Sequence, residues 1–291
     1  MIKILVLLIF STINITSGSL EIVKNDGEFI YYLKDGVTLK FDSTVVTSDE
    51  GIYYLSKKHG KLFGHVRLKT PTYMVNSDSL IYYEENNRTV FKLNVSGTDS
   101  SALFEAKNLN VVGDTAFAGG GVNIFLLNDS LEFNADSGVY FINKATGKIF
   151  KNAEATILRG DTINLLSDSM LFQKDTLIAW HDVQVKSKKF NGTSDYLEFT
   201  GQNSDTSRVC LYGNGAFNFH NTKVSGDTIL FALVEGQVVG ARFSGTPSLE
   251  TKRKEGTLFV RSLDMKVDVR NDSLVFFMAR GKVIGRFEEN E

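Results

Sequence analysis

Along most of the chain, apolar and polar residues alternate one by one in short runs, and each run is bounded by Gly, Asn, Asp or Ser. A two-residue period puts alternate side chains on one face of an extended strand, so these runs predict β-strands. The 3.6-residue period of an amphipathic helix is close to absent. The expected fold class is therefore all-β.

The runs repeat. One hexamer reads small or Asn, then Asp, then Ser/Thr/Tyr, then apolar, any residue, and apolar again. It occurs at Ser77–Tyr82, Asn128–Phe133, Gly160–Leu165, Ser167–Phe172, Ser194–Phe199, Gly226–Phe231 and Asn271–Phe276. Asp can bond backbone amides two residues on, so the hexamer reads as a turn feeding a strand whose fourth and sixth side chains share a face. A second pattern, a Gly, Asn or Asp followed by alternating apolar residues, lies between the hexamers, as in Gly64-His65-Val66-Arg67-Leu68, Gly121-Val122-Asn123-Ile124, Asp182-Val183-Gln184-Val185 and Gly215-Ala216-Phe217-Asn218-Phe219. Equivalent positions recur after about 30 residues, with two strands in each repeat. The expected architecture is an elongated body of two facing antiparallel sheets, each repeat adding one strand to each sheet. The apolar faces would enclose an interior lined by Val66, Leu68, Tyr82, Phe133, Phe172, Val185, Phe199, Phe217 and Phe231. The end strands are the expected docking edges: Phe29, Tyr31 and Leu33 at one end, Leu274, Phe276 and Met278 at the other.

The first nineteen residues follow a different pattern. Lys3, an apolar core Ile4–Phe10 and then small polar residues read as a secretory signal peptide with cleavage near Ser17–Ser19. The core of 7 residues, or 12 if extended to Ile15, is short of the roughly 20 that span a bilayer. The expected organisation is a signal peptide over residues 1–19 and one repetitive β domain over 20–291, in an exported compartment.

Composition refines this reading. The 291 residues are 42% hydrophobic with only 2 prolines, so the chain can bury a core. The charges, 32 Lys plus Arg against 34 Asp plus Glu, are scattered, which argues against nucleic acid as a partner. A single cysteine, Cys210, excludes an internal disulfide framework. His59, His65, His181 and His220 lack metal-ligand spacing, and the Gly119-Gly120-Gly121 run lacks a following Lys-Ser/Thr and reads as a turn or bulge. Asp residues that recur with the repeat are expected to be structural, because a catalytic pair is normally unique. No cofactor is expected, and no enzyme activity. The alternatives are an exported polysaccharide-active β-solenoid enzyme and a structural or adhesive β-repeat protein.

A strand containing Gly-x-Val-x-apolar followed by a strand containing Ser-Asp-x-apolar-x-apolar, as in Phe63–Leu68 with Asn76–Tyr83 and in Gly192–Phe199, resembles the OstA-like, LptA-type family of lipopolysaccharide-transport proteins. The family also includes the N-terminal module of the outer-membrane assembly protein. The resemblance covers roughly residues 30–285. It implies a twisted, open β-jellyroll that shields the acyl chains of lipopolysaccharide or a similar lipid. It also implies a periplasmic location, free or associated with the outer membrane, partners among the OstA-like modules of the inner- and outer-membrane transport complexes, and head-to-tail self-association.

Overall fold

The computed structural model describes residues 14–289 apart from 128–129, 159–161, 174, 202–205, 220, 235–236 and 271–272. Among the described residues there is no α-helix, and all 22 strands belong to one antiparallel sheet. The chain divides into two compact units, residues 1–128 with 134–149, and residues 129–133 with 150–291.

The first unit holds β1 (Asn14–Asn25), β2 (Glu28–Phe41), β3 (Thr44–Ser48), β4 (Glu50–Tyr54), β5 (His59–Lys69), β6 (Tyr73–Tyr83), β7 (Arg88–Asp99), β8 (Ala102–Val112), β9 (Thr115–Leu126) and most of β10 (Leu131–Phe141). A turn of 3-10 helix, Ile142–Lys144, precedes β11 (Thr146–Ile157). The second unit continues with β12 (Ile163–Gln173), β13 (Thr176–Lys186), β14 (Phe190–Thr200), β15 (Thr206–Phe219), β16 (Thr222–Val234), β17 (Gln237–Ser244), β18 (Ser248–Lys252), β19 (Gly256–Arg261), β20 (Asp264–Arg270), β21 (Ser273–Arg280) and β22 (Ile284–Glu289). Alternate strands β5, β7, β9, β11, β13 and β15 begin at residues 59, 88, 115, 146, 176 and 206, which is the repeat of about 30 residues.

Strands are not dealt out one to each of two sheets, as the sequence pattern suggested. Each long strand pairs with its neighbours in chain order along nearly its whole length, and it is interrupted in the middle by a bulge. In β6 the buried positions run Tyr73, Val75, Ser77 and then Leu80, Tyr82; in β14 they run Phe190, Gly192, Ser194 and then Leu197, Phe199. The phase slips by one residue between Ser77 and Leu80, and again between Ser194 and Leu197. A slip of one would turn the second half of each strand inside out. The bulge absorbs it, because two residues on the neighbouring strand oppose one.

The two opposing residues are left-handed. Gly64-His65 of β5 face Asp49, Leu93-Asn94 of β7 face Asp78, Gly120-Gly121 of β9 face Lys107, and Gly213-Asn214 of β15 face Asp195. Three of these contacts are hydrogen bonds to the aspartate: from His65 Nδ1 at 2.8 Å, Asn94 Nδ2 at 2.8 Å and Asn214 Nδ2 at 3.0 Å. On the inner side of the corner the serine hydroxyl donates to the carbonyl two residues on, from Ser48, Ser77, Ser167, Ser194 and Ser262. A small side chain that satisfies its own hydroxyl locally can be buried there without cost to the core.

This corrects the turn reading of the Ser-Asp hexamer. At Ser77, Ser167, Ser194 and Gly226 it is a mid-strand corner. Only the copies before β10, β12 and β21 adjoin a strand start, and their Asn128, Asp129, Gly160, Asp161, Asn271 and Asp272 lie outside the described residues. The Gly119–Gly121 run is likewise a bulge within β9.

The strand ends split. In the first unit β2 pairs through Ile30–Leu33 with β4 and through Val37–Phe41 with β3, and both join β5. In the second, β16 pairs through Thr228–Val234 with β17, which leads to β20 and β21, and through Thr222–Ser225 with β18, which leads to β19 and β22.

Corner geometry makes a stability prediction. Gly64 has φ +73°, and a Cβ there would run into the Asp49 carboxylate, whereas Gly27, in the two-residue Asp-Gly turn between β1 and β2, has φ +81° with open space around it. Gly64→Ala is expected to cost about 2–3 kcal/mol and Gly27→Ala about 1 kcal/mol, measured by urea denaturation; equal costs would mean that the corner is not the tighter site.

Candidate functional site

The corners place two sets of inward side chains in the first unit. In the strand halves paired with Ile30–Leu33, one cross-strand row runs Leu33, Gly51, Leu62, Leu80, Phe91, Leu109, beside the corner. Two residues farther out lies a second row, Tyr31, Tyr53, Gly60, Tyr82, Thr89, Val111. In the opposite halves the row is Ile15, Leu39, Val46, Leu68, Val75, Gly97, Phe104. Gly97 is where a Cβ would strike the Phe104 ring, so the absence of a side chain there lets Phe104 fill the interior. Most members of the first and third rows, with Tyr82 and Val111 of the second, join one buried cluster, so both strand halves contribute apolar side chains to it.

At the β1 end of this unit the rows stay apart and enclose a cavity of about 420 Å³. Leu33, Leu62, Leu80 and Tyr82 line it from one set of halves, Leu39, Val46 and Leu68 from the other, and Ile15 of β1 completes it. The polar side chains on its inward rows and border are few: Tyr53, Tyr82, Glu84 and Thr89. The Tyr53 hydroxyl reaches Glu84 at 3.4 Å. Burial raises the Tyr53 phenol above its ordinary value and pushes Tyr82 up to about 12. The Thr89 side chain is 1% exposed, and its Oγ1 has no hydrogen-bond partner in the protein.

All nine residues expected to line the interior point inward. Val66, Leu68, Tyr82, Phe133, Val185, Phe199, Phe217 and Phe231 are buried, and Phe172 is half-buried against Phe133, with ring centroids 4.7 Å apart. Leu68 and Tyr82 border the cavity. In the second unit the aromatic members close on one another: Phe217 lies 4.0 Å from Phe231 between ring centroids, flanked by Phe190 and Phe243. Two larger hollows in that unit are ringed by charge, one of about 780 Å³ by Lys223, Glu250, Arg261 and Arg286, the other of about 570 Å³ by Arg242, Asp264, Lys266, Asp268 and Arg280.

The edge residues require a correction at one end. Phe29, Tyr31 and Leu33 do not lie on an outer strand: β1 pairs with them on one side, Leu20 opposite Leu33 and Ile22 opposite Tyr31, and Leu55 or β4 takes the other side. The outer strand is β1, with Ile15, Leu20 and Ile22 each more than half exposed. It escaped notice because its first residues belong to the expected leader. At the other end Leu274, Phe276 and Met278 do lie on β21, whose described partner is β20 alone. Phe276 is exposed and Met278 partly so, while the Leu274 side chain lies outside the described residues. The second outer strand there, β22, exposes Ile284 and Phe287.

The remaining candidates sit on strands. Trp180 lies within β13, edge-on to Tyr196, and Cys210 lies within β15, its thiol pushed up by burial. Among the described residues no group of three His, Cys, Asp or Glu is placed to hold a metal ion; His220 lies outside them. Neither a protein-family model nor a curated protein matches the chain.

Raised phenol values have a pH consequence. Tyr73, Tyr82 and Tyr140 are each pushed by burial to about 12, from 10 in an unfolded chain. The folded state therefore holds the proton longer, and the stability this contributes is present below pH 10 and is lost as pH rises from 10 toward 12. Stability followed by denaturant titration should fall across that window, and Tyr82→Phe should fall less steeply than the parent; identical slopes would place Tyr82 outside the buried interior.

Proposed function

We propose that the chain is a non-enzymatic lipid carrier of an exported compartment. It would shield the acyl chains of lipopolysaccharide or a similar lipid in its apolar interior and bridge partner modules by strand pairing at its ends. The observation that carries this reading is the cavity in the first unit, where apolar rows from both halves of the same strands face one void instead of packing shut. The proposal includes the finer architecture, a twisted, open β-jellyroll in which the bulge corners divide one sheet into two facing walls. The resemblance of Phe63–Tyr83 and Gly192–Phe199 to OstA-like proteins supports it, as do bare outer strands that present apolar side chains.

The energetics suit transfer. Each methylene moved out of water gains about 0.8 kcal/mol, so an acyl chain is held firmly, yet a similar groove in a neighbouring protein offers the same gain and makes exchange nearly isoenergetic. Direction must come from elsewhere in the system. Removal of a leader near Ser17–Ser19 would leave Leu20–Asn25 paired with β2, take Ile15 out of the cavity wall, and uncover Val37–Lys40 as a fresh edge. Export would thus open both the lipid site and a docking strand.

The test is to isolate the protein under mild conditions from a lipopolysaccharide-bearing host and identify co-purifying lipid by mass spectrometry, with a photo-crosslinker at Leu62 or Phe217. Acyl lipid in the preparation and labelled at Leu62 is the expected result. A lipid-free protein that never labels lipid would refute the carrier reading, and glycan cleavage by the same preparation would favour the solenoid enzyme.

A further inference from the structure

The rows bordering the cavity are graded. Beside the corner the inward groups are leucines and Phe91, while the next row outward ends in Tyr53, Tyr82 and Thr89, with exposed Glu84 beyond them. Thr89 stands out among these. A hydroxyl that is buried and unpaired costs free energy that a hydrogen-bonding occupant would recover. Valine has nearly the same shape and carries no such cost, so plain packing gives no reason for threonine here. The volume sets the size of the occupant. If a methylene takes roughly the 30 Å³ that a water molecule takes in the liquid, a cavity of about 420 Å³ holds a chain of roughly a dozen carbons.

From the graded rows and the unpaired hydroxyl we propose that the cavity is an oriented site for one single-chain amphiphile, an acyl ester or alcohol. Its tail runs toward Leu39, Val46 and Leu68, and its first oxygen accepts a hydrogen bond from Thr89 Oγ1. The Glu84 carboxylate, at the exposed rim, accepts from a hydroxyl of the head group. This inference rests on the carrier reading and adds to it a direction of binding and a polar contact for the ligand.

The experiment titrates the protein as recovered from the exported fraction with 1-lauroylglycerol below its micelle concentration, by calorimetry, in the parent and in Thr89→Val and Thr89→Ser. Expected is one site per chain, about tenfold weaker in Thr89→Val and restored to within about twofold in Thr89→Ser, with the unliganded Thr89→Val protein as stable as the parent or more so. Equal binding by parent and Thr89→Val would overturn the oriented site while leaving the carrier reading in place. Failure of Thr89→Ser to restore binding in a folded protein would also overturn it. No binding to any of the three would remove both.

Discussion

A β-strand shows its side chains to alternate faces, so a strand that bends at its middle can keep one face apolar throughout only if the bend carries an odd number of extra residues or a compensating bulge. Every long strand described here faces that constraint. The strands that carry Ser-Asp slip by one residue between their buried halves, and their partners answer with two left-handed residues opposite the aspartate. The buried cluster and the cavity at Leu62 and Leu80 in the first unit, and the aromatic stack at Phe217 and Phe231 in the second, all depend on that parity being kept.

The chemistry of the corner explains the recurrence of its residues. Serine fits the inside because it is small and bonds its own strand's carbonyl two residues on, and aspartate fits the outside because its carboxylate accepts from the neighbouring strand's His65, Asn94 or Asn214. Asparagine, aspartate and glycine tolerate left-handed backbone better than other residues, which is why they fill the opposing pair so often. Leu93 and Lys151 adopt the same conformation without that preference, held by the pairing on either side.

Much of this was legible in the sequence. The all-β class and the repeat of about 30 residues follow from the two-residue period, and of the nine aromatic and aliphatic positions singled out by it eight are buried and Phe172 is half-buried. The corner was not legible. Asp-rich turns and Asp-rich bulges draw on the same residues for the same backbone reason, and only the pairing partner tells them apart. Asp49 was missed because Gly51 takes the place of the hexamer's first apolar residue. β1 was hidden because Ile15 and its neighbours also suit a leader. Thr89 reads as an ordinary β-branched strand residue until its missing hydrogen bond is seen.

The proposed function requires an acyl chain to enter between the two sets of inward rows instead of adsorbing to the outside, where Leu103 and Phe117 are also exposed. Methyl NMR of the protein with an acyl ligand decides this directly. Intermolecular nuclear Overhauser effects from the chain to Leu33, Leu39, Leu62 and Leu80, with none to Leu103, are the predicted result. Contacts to Leu103 alone, or a ligand that leaves the four inward leucines unchanged, would contradict it.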